Sequence, residues 1–376
     1  MKIVFITYEQ YPNGGAAANR HIALMEALSS LCEVELLILG NNTNYIYANS
    51  NFKVTYINFK YKRGIYLVFK SIINLLFLKK YIKKGTTSIF YLGTSGLILL
   101  PIIAISNKYN IQLMHERTEL PSLNIKSVFS KLDYYVYRNF LMHRFNIIFV
   151  ISKALKKELS LFPKMNKDQI HILNMVVDFE RFKNLKNNSF NYSIAYCGSM
   201  RDNKDGLKIL VESFKKVLDI FPLSKLTIIG DNNTRYFKEN IEPIINHNML
   251  NENIILAGLV SRNEVPNLLA LSNLLVLSRE DDVQAKYGFP TKLGEYLATS
   301  IPTIVTSVGD IPIFFKDKHD IYLSKPNCPV SFADKIIYVF NHYDAALTVG
   351  KNGFDIAEKN FSSKIESQKI FKFMKL

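Results

Sequence analysis

Short, mostly apolar runs alternate along this chain with longer segments whose apolar residues recur at helical spacing. Residues 2–7, 34–39, 52–57, 88–92, 111–114, 147–151 and 170–173 read as strands buried on both faces, the pattern of a parallel sheet. Between them the spacing predicts helices over 16–30, 64–84, 97–105, 128–143 and 152–161, with Ser152 placed to cap the last. The asparagine-rich stretch 183–191 breaks this rhythm. It then resumes, with strands at 193–197, 226–229, 254–256, 274–277, 303–305 and 321–323, and helices at 207–219, 264–271, from Pro290 and after Val330. Repeated strand–helix–strand units in two similar halves imply an α/β fold of two domains, 1–185 and 186–360. The segment 361–376 carries four lysines and is expected to return to the first domain. A length of 376 residues fits this division, at ~100–200 residues per domain.

Charge changes the picture more than composition does. The chain is 48% hydrophobic and 21% charged, ordinary for a globular protein. Residues 1–185 hold 24 Lys and Arg against 11 Asp and Glu, whereas 186–376 hold 23 against 21. The basic first half suits an anionic membrane surface or a phosphorylated substrate. The cluster Lys79, Lys80, Lys83 and Lys84, ending the apolar segment 64–84, fits either a membrane-resting helix or a core helix with a solvated end. Nucleic acid is not expected, because no arginine-rich or zinc-finger signature is present. Cys32, Cys197 and Cys328 lie far apart and form no disulfide or metal-binding pattern, which suits a reducing, cytoplasmic setting. The apolar segments near 65–78 and 97–105 fall short of the ~18 residues of a membrane span.

Candidate chemistry gathers where strands end. The loop P-N-G-G-A-A after the first strand places Gly14 and Gly15 at the sheet's carboxyl edge, where backbone approaches a ligand closely or simply turns. A nicotinamide dinucleotide fingerprint would need G-x-G-x-x-G and an acid after the second strand, and both are missing. After the strand at 111–114 stands H-E-R-T-E-L-P, bringing His115, Glu116 and Arg117 to a sheet edge. In the second half, Gly198 permits close approach, while Arg201 and Lys204 could neutralise a pyrophosphate or form a solvated loop. The stretch Y-G-F-P-T-K-L-G-E-Y-L-A-T, 287–299, opens a helix at Pro290 whose free backbone donors from Phe289 through Thr291 and Lys292 to Leu293 suit a phosphate. Glu295, a turn further in, is misplaced for phosphate but suited to a diol such as a ribose; the plainer alternative is a weak surface pair with Lys292.

These segments, in this order, resemble family 4 retaining glycosyltransferases of GT-B architecture, two facing Rossmann-like domains with a cleft between them. The resemblance rests on P-N-G-G-A-A-A-N-R at 12–20, H-E-R-T-E-L-P at 115–121, F-V-I-S-K-A-L at 149–155, Y-C-G-S-M-R-D-N-K-D-G at 196–206 and, above all, G-F-P-T-K-L-G-E-Y-L-A-T-S-I-P-T-I-V-T-S-V-G-D-I-P at 288–312. It implies that Glu295 grips the ribose of a nucleotide-sugar, that backbone at 289–293 meets the diphosphate, and that Lys204 contacts the pyrophosphate. It further places Gly14 and Gly15 near phosphate and acceptor, His115 beneath the transferred sugar, and Leu259 and Val260 against the base. Two positions depart from the family pattern: Tyr287 stands where many members have a sugar-reading Glu, and Ser199 where an Arg is common, with Arg201 close enough to substitute.

The expected reaction is transfer of a sugar from a nucleoside diphosphate to an acceptor hydroxyl with retention of configuration. Cations and a helix N-terminus would stabilise the leaving diphosphate, without metal or other cofactor. A strict D-x-D is absent, and Glu280-Asp281-Asp282 only resembles one. The basic first half suggests a lipid-linked saccharide acceptor at the inner face of a membrane, by analogy with bacterial surface-polysaccharide enzymes. An epimerase or phosphorylase on the same plan, or a non-catalytic nucleotide-binding protein, are the competing readings.

Overall fold

In the computed structural model, residues 1–9, 11, 15–39, 48–57, 78–82, 85–93, 96–121, 125, 127–185 and 189–374 are described. They form two units, Met1–Val176 with Ser363–Leu376, and Val177–Ser362. The composition shift suggests a boundary at 185; the chain changes unit at Val176 because the segment beyond it is tied to unit 2. The Val177 N–H donates to the Phe361 carbonyl at 2.8 Å, and Phe179 meets the Phe354 ring edge-on. Gly14 and nearly all of the expected helix 64–84 lie outside the described residues.

The sheet of unit 1 comprises β1 (Lys2–Thr7), β2 (Glu33–Leu39), β3 (Lys53–Ile57), β4 (Ser88–Tyr91), β5 (Gln112–Arg117), β6 (Ile147–Val150) and β7 (Ile170–Ile172). The order is β3-β2-β1-β4-β5-β6-β7, all parallel, so strand order reverses direction between β1 and β4. Ile3, Val4, Phe5 and Ile6 are all buried, as continuous apolar runs require when helices cover both faces. The helix Gly15–Ser29 contributes Ile22, Met25 and Leu28 to one core, joined there by Ile370 and Met374 of the C-terminal segment. The helix of that segment, Ser363–Phe373, is also anchored polarly. Glu366 is buried and accepts from the Asn174 N–H at 2.9 Å, and Gln112 Nε2 donates to the Phe373 carbonyl at 2.8 Å.

Two details of unit 1 differ from the sequence reading. β5 continues through Arg117, so His115, Glu116 and Arg117 belong to the strand and not to the loop beyond it. The helix expected over 128–143 is regular only over Val128–Val136, then widens at Tyr137–Leu141, where the Met142 N–H reaches back to the Tyr137 carbonyl.

Unit 2 repeats the plan with β8 (Ser193–Cys197), β9 (Lys225–Ile229), β10 (Ile254–Gly258), β11 (Leu274–Leu277), β12 (Thr303–Thr306) and β13 (Tyr322–Ser324), ordered β10-β9-β8-β11-β12-β13 and all parallel. Here the reversal lies between β8 and β11. Crevices at such reversals, outside the carboxyl ends of strands, are where open α/β sheets take ligands. Short helices at Arg235–Asn240, Glu242–His247, Val283–Tyr287 and Ile311–Phe314 add to the expected set, being too short to show a period in the sequence.

Candidate functional site

At the carboxyl edge of the unit 2 sheet, backbone segments crowd together. The Gly198 N–H donates to the Ile229 carbonyl and the Gly230 N–H to the Gly258 carbonyl, each at 2.9 Å, so the ends of β8, β9 and β10 lie side by side. A Cβ on Gly198 would collide with the Tyr196 hydroxyl and stand 3.0 Å from Lys292 Cε. Gly198 is therefore required by the side chains that pass over it. The loop beyond it closes at Gly206, whose φ of +65° and contact with the Ser278 carbonyl admit no side chain. The Ser278 hydroxyl, just past the end of β11, donates to the Gly206 carbonyl at 2.7 Å and fastens the loop across the strand reversal.

Buried beneath this loop, Asp205 forms an ion pair with Lys292 from the helix Thr291–Leu297. The Tyr196 hydroxyl lies 3.3 Å from Asp205 Oδ2, and burial pushes its pKa well above the usual phenol value, so it stays a donor. Lys292 is thus fixed in place beside Gly198. Arg201 is exposed and Lys204 half-buried in the same loop, with Ser199 Oγ accepting from the Arg201 N–H at 3.4 Å.

The helix bearing Lys292 starts with Pro290 as its N-cap, one residue earlier than the first helical turn where Pro290 is expected. Phe289 is buried against Phe314 and Phe361, and Leu293 is buried in full, so their side chains serve packing and leave only backbone for a ligand. Tyr296 ties the helix to β8: its hydroxyl accepts from the Cys197 N–H at 2.7 Å and donates to the Cys197 carbonyl at 3.1 Å. Burial, reinforced by Glu295, pushes the Cys197 thiol up to about 12, which excludes it as a nucleophile near neutral pH.

Glu295, one residue before that anchor, is 28% exposed and pairs with Arg181 at 2.8 Å. Arg181 also donates to the Arg262 carbonyl at 2.5 Å and lies over the Phe182 ring at 5.4 Å. Arg262 stands two residues beyond Val260, which is half-buried and follows the exposed Leu259. One guanidinium therefore joins the carboxylate to the loop after β10. Nothing in the sequence marks Arg181 for this, since 114 residues separate it from Glu295.

Two of the three acids at 280–282 hold local structure. Asp282 caps the helix Val283–Tyr287 by accepting from the Ala285 N–H at 2.6 Å, and Glu280 accepts from Asn203. Among the described residues, no group of three or more His, Cys, Asp or Glu is arranged to hold a metal ion. Tyr287 ends that helix under the Lys286 ammonium, 5.5 Å from its ring centre.

In unit 1 the strand alternation of β5 sends neighbouring side chains to opposite faces. His115 is fully buried, its Nδ1 2.8 Å from the Tyr91 carbonyl, its Nε2 2.7 Å from the Tyr137 hydroxyl and its ring stacked on Phe145 at 4.4 Å. A carbonyl can only accept, so Nδ1 carries the proton and Nε2 accepts from Tyr137. Burial and the neighbouring Arg117 push the imidazole down to about 3, so it is neutral and both nitrogens are occupied. His115 thus packs in this structure as a buried histidine with both ring nitrogens engaged, and a catalytic role for it would require one of those contacts to be released.

Glu116, on the other face, accepts from Arg20 Nε at 3.0 Å and Nη2 at 2.7 Å and lies 2.9 Å from His21 Nε2. Burial alone would raise its pKa, but Arg20 and His21 overcome that and hold the carboxyl at about 2. Arg20 is buried too, donating to the Asn174 carbonyl at 2.6 Å, while His21 Nδ1 lies 3.0 Å from the Tyr11 hydroxyl. Arg117 is buried, 5.9 Å from the Tyr137 ring, and its Nε has no hydrogen-bond partner among the described residues. Gly15 opens the helix Gly15–Ser29 at φ +77°. The expected acceptor-side set is thus split between a sealed ionic cluster and a buried cation.

Residues 191–342 match the family model described as glycosyl transferases group 1. Two uncharacterised glycosyltransferases of Methanocaldococcus jannaschii are each 27% identical, over 224 and 220 residues that make up 55% and 56% of this chain. The matches span 58% and 51% of those relatives, little more than half their length. Among solved structures, a glycosyltransferase from Rickettsia africae superposes with a TM-score of 0.76 at 17% identity, covering 99% of this chain and 97% of that one. HepE of Anabaena, solved with UDP and glucose, gives 0.74 at 16% identity over 99% and 98%. Sucrose-phosphate synthase of Thermosynechococcus elongatus gives 0.75 at 15% identity over 99% and 98%. At these identities the likeness is one of fold, and that fold is GT-B.

Proposed function

We propose that this protein is a glycosyltransferase that takes a hexose-type sugar from a nucleoside diphosphate and passes it to an acceptor hydroxyl, with retention at the anomeric carbon. The observation that carries this reading is the partly exposed Glu295 carboxylate on the same short helix as Lys292, beside Gly198 at the strand reversal of unit 2, inside the region matched by the family model. Each part of a nucleotide-sugar has a chemical partner there. Glu295 accepts from the ribose hydroxyls, the loop at Leu259 and Val260 lies along the base, and the backbone at Phe289–Thr291 with Gly198 and Ser199 takes the diphosphate. As the sugar leaves, negative charge grows on that diphosphate, and Lys292, Lys204 and Arg201 supply positive charge without a metal. HepE and TarM, both of like fold, were solved with UDP, which supports a uridine nucleotide as the first donor to test. The acceptor is a lipid-linked saccharide of the surface-polysaccharide type, a reading supported by the basic first half and by the outer-core galactosyltransferase WaaB among the similar folds.

A thermal-shift panel of uridine, guanosine, adenosine and thymidine diphosphate sugars tests the donor half of this proposal. A rise in Tm with one nucleotide class, abolished in Glu295→Ala, is the expected result. No rise with any of them, or full transfer activity in both Lys204→Ala and Glu295→Ala, would overturn it.

A further inference from the structure

The helix Val128–Val136 in unit 1 turns the usual amphipathic arrangement outward. Not one of its residues is buried, although V-F-S-K-L-D-Y-Y-V is largely apolar. Val128 is 84% exposed, Leu132 59% and Tyr135 57%, and at 100° per residue these three fall on one face. The helix leads into Tyr137, which is buried against His115. Phe129 and Phe140 are exposed beside the stripe. Isolated exposed apolar residues need no explanation, but five in thirteen positions on a segment fixed to the core do.

The surroundings indicate the kind of partner that covers it. Residues 128–167 carry eight Lys and Arg against two Asp and Glu. One of those acids, Asp133, is engaged by the Gly96 N–H at 3.2 Å. Arg138 lies over the Phe162 ring at 5.0 Å, linking the patch to the region of the helix Lys153–Leu159 with its exposed or half-buried Lys153, Lys156 and Lys157. An apolar stripe with an aromatic hydroxyl at its end, on a segment that Arg138 joins to a lysine-bearing one, matches the boundary between anionic headgroups and acyl chains. A protein partner or second copy would be equally apolar but would place no demand for so one-sided a charge.

We propose that Val128–Phe140 is the surface by which this protein seats on an anionic membrane, with Val128, Leu132 and Tyr135 entering the acyl boundary and the surrounding lysines and arginines meeting lipid phosphates. No helix among the described residues is long and apolar enough to cross a membrane, so the seating proposed is peripheral. This inference is independent of the sugar-transfer reading.

The chain contains no tryptophan, so Leu132→Trp introduces a single indole, excited selectively apart from the tyrosines, into the patch. With vesicles of phosphatidylcholine and phosphatidylglycerol, its emission should shift to the blue and be quenched by brominated acyl chains. Phosphatidylcholine alone should give neither effect. In flotation, Leu132→Ser should weaken binding of the full chain by about tenfold, the scale of one large apolar side chain, and Lys153→Ala with Lys156→Ala and Lys157→Ala should weaken it at low salt and leave the remainder less salt-sensitive. Two results would overturn the proposal: absence of flotation with anionic vesicles at low salt, or flotation in which the indole of the Leu132→Trp variant stays unquenched. A concentration-dependent dimer that Leu132→Ser dissociates, without vesicle binding, would overturn it too and assign the face to a second copy. If Leu132→Ser fails to fold, the quenching of Leu132→Trp and the salt dependence of the native chain decide alone.

Discussion

Two ion pairs, one in each unit, show how differently the same chemistry is used. In unit 1 the Arg20–Glu116 pair is sealed, both side chains almost wholly buried and closed off by His21 and two backbone carbonyls. In unit 2 the Arg181–Glu295 pair is half-open, with the carboxylate partly in solvent. A buried pair with its donors answered holds β5, the helix Gly15–Ser29 and the Leu173–Asn174 segment in one arrangement, and has nothing left for a ligand. An open carboxylate held by one oxygen keeps acceptor capacity for an arriving hydroxyl. The acids thus differ in role because of their surroundings, although each lies toward the carboxyl end of its sheet.

Breaking the sealed pair should have the largest effect. Arg20→Met leaves Glu116 buried without its main partner and should cost about 3–5 kcal/mol in urea unfolding. The pH dependence has a definite sign: a carboxyl held at about 2 in the folded state, against about 4.3 unfolded, adds stability above the unfolded value. That stability is lost as pH falls toward 2, so Glu116→Gln should flatten the acid side of the stability curve. Breaking the open carboxylate should act on binding instead. Glu295→Ala should leave urea unfolding within about 1 kcal/mol of the native protein while weakening nucleotide-sugar binding by about 10–100-fold, the scale of charge-assisted hydrogen bonds to a diol. Equal loss of stability and binding would show that Glu295 is structural. The smallest effect sharpens the comparison: Arg181→Lys keeps the charge but cannot reach Glu295 and the Arg262 carbonyl with one planar fork. It should raise KM for the donor a few-fold with little change in kcat, and Arg181→Met should raise it further.

The strand positions of both sheets were legible because a parallel strand covered on both faces is a short continuous apolar run, recurring at the spacing that helical crossovers impose. Helices of four to six residues left no such trace, nor did the widening at Tyr137–Leu141, since both depend on packing and not on period. In the candidate site, Gly198, Lys292 and Glu295 could be named from their stretches. Their partners could not: Asp205 is 87 residues from Lys292 and Arg181 is 114 from Glu295. Arg20 and His21 look like ordinary helix positions, and only the arrival of Glu116 from 96 and 95 residues away makes them an ionic cluster.

His115 marks the limit most plainly. A histidine at a strand end beside an acid and an arginine has, by its residue types, the makings of a catalytic group. Whether it is one depends on its two ring nitrogens, and the Tyr91 carbonyl and Tyr137 hydroxyl occupy both. The sequence by itself determined the architecture, because local apolar periodicity dictates which elements form and that their faces must be buried. Only the tertiary structure decided which charged side chains are spent on holding the chain together and which stay open to a ligand, because hydrogen-bond partners and solvent access come from residues that meet only on folding.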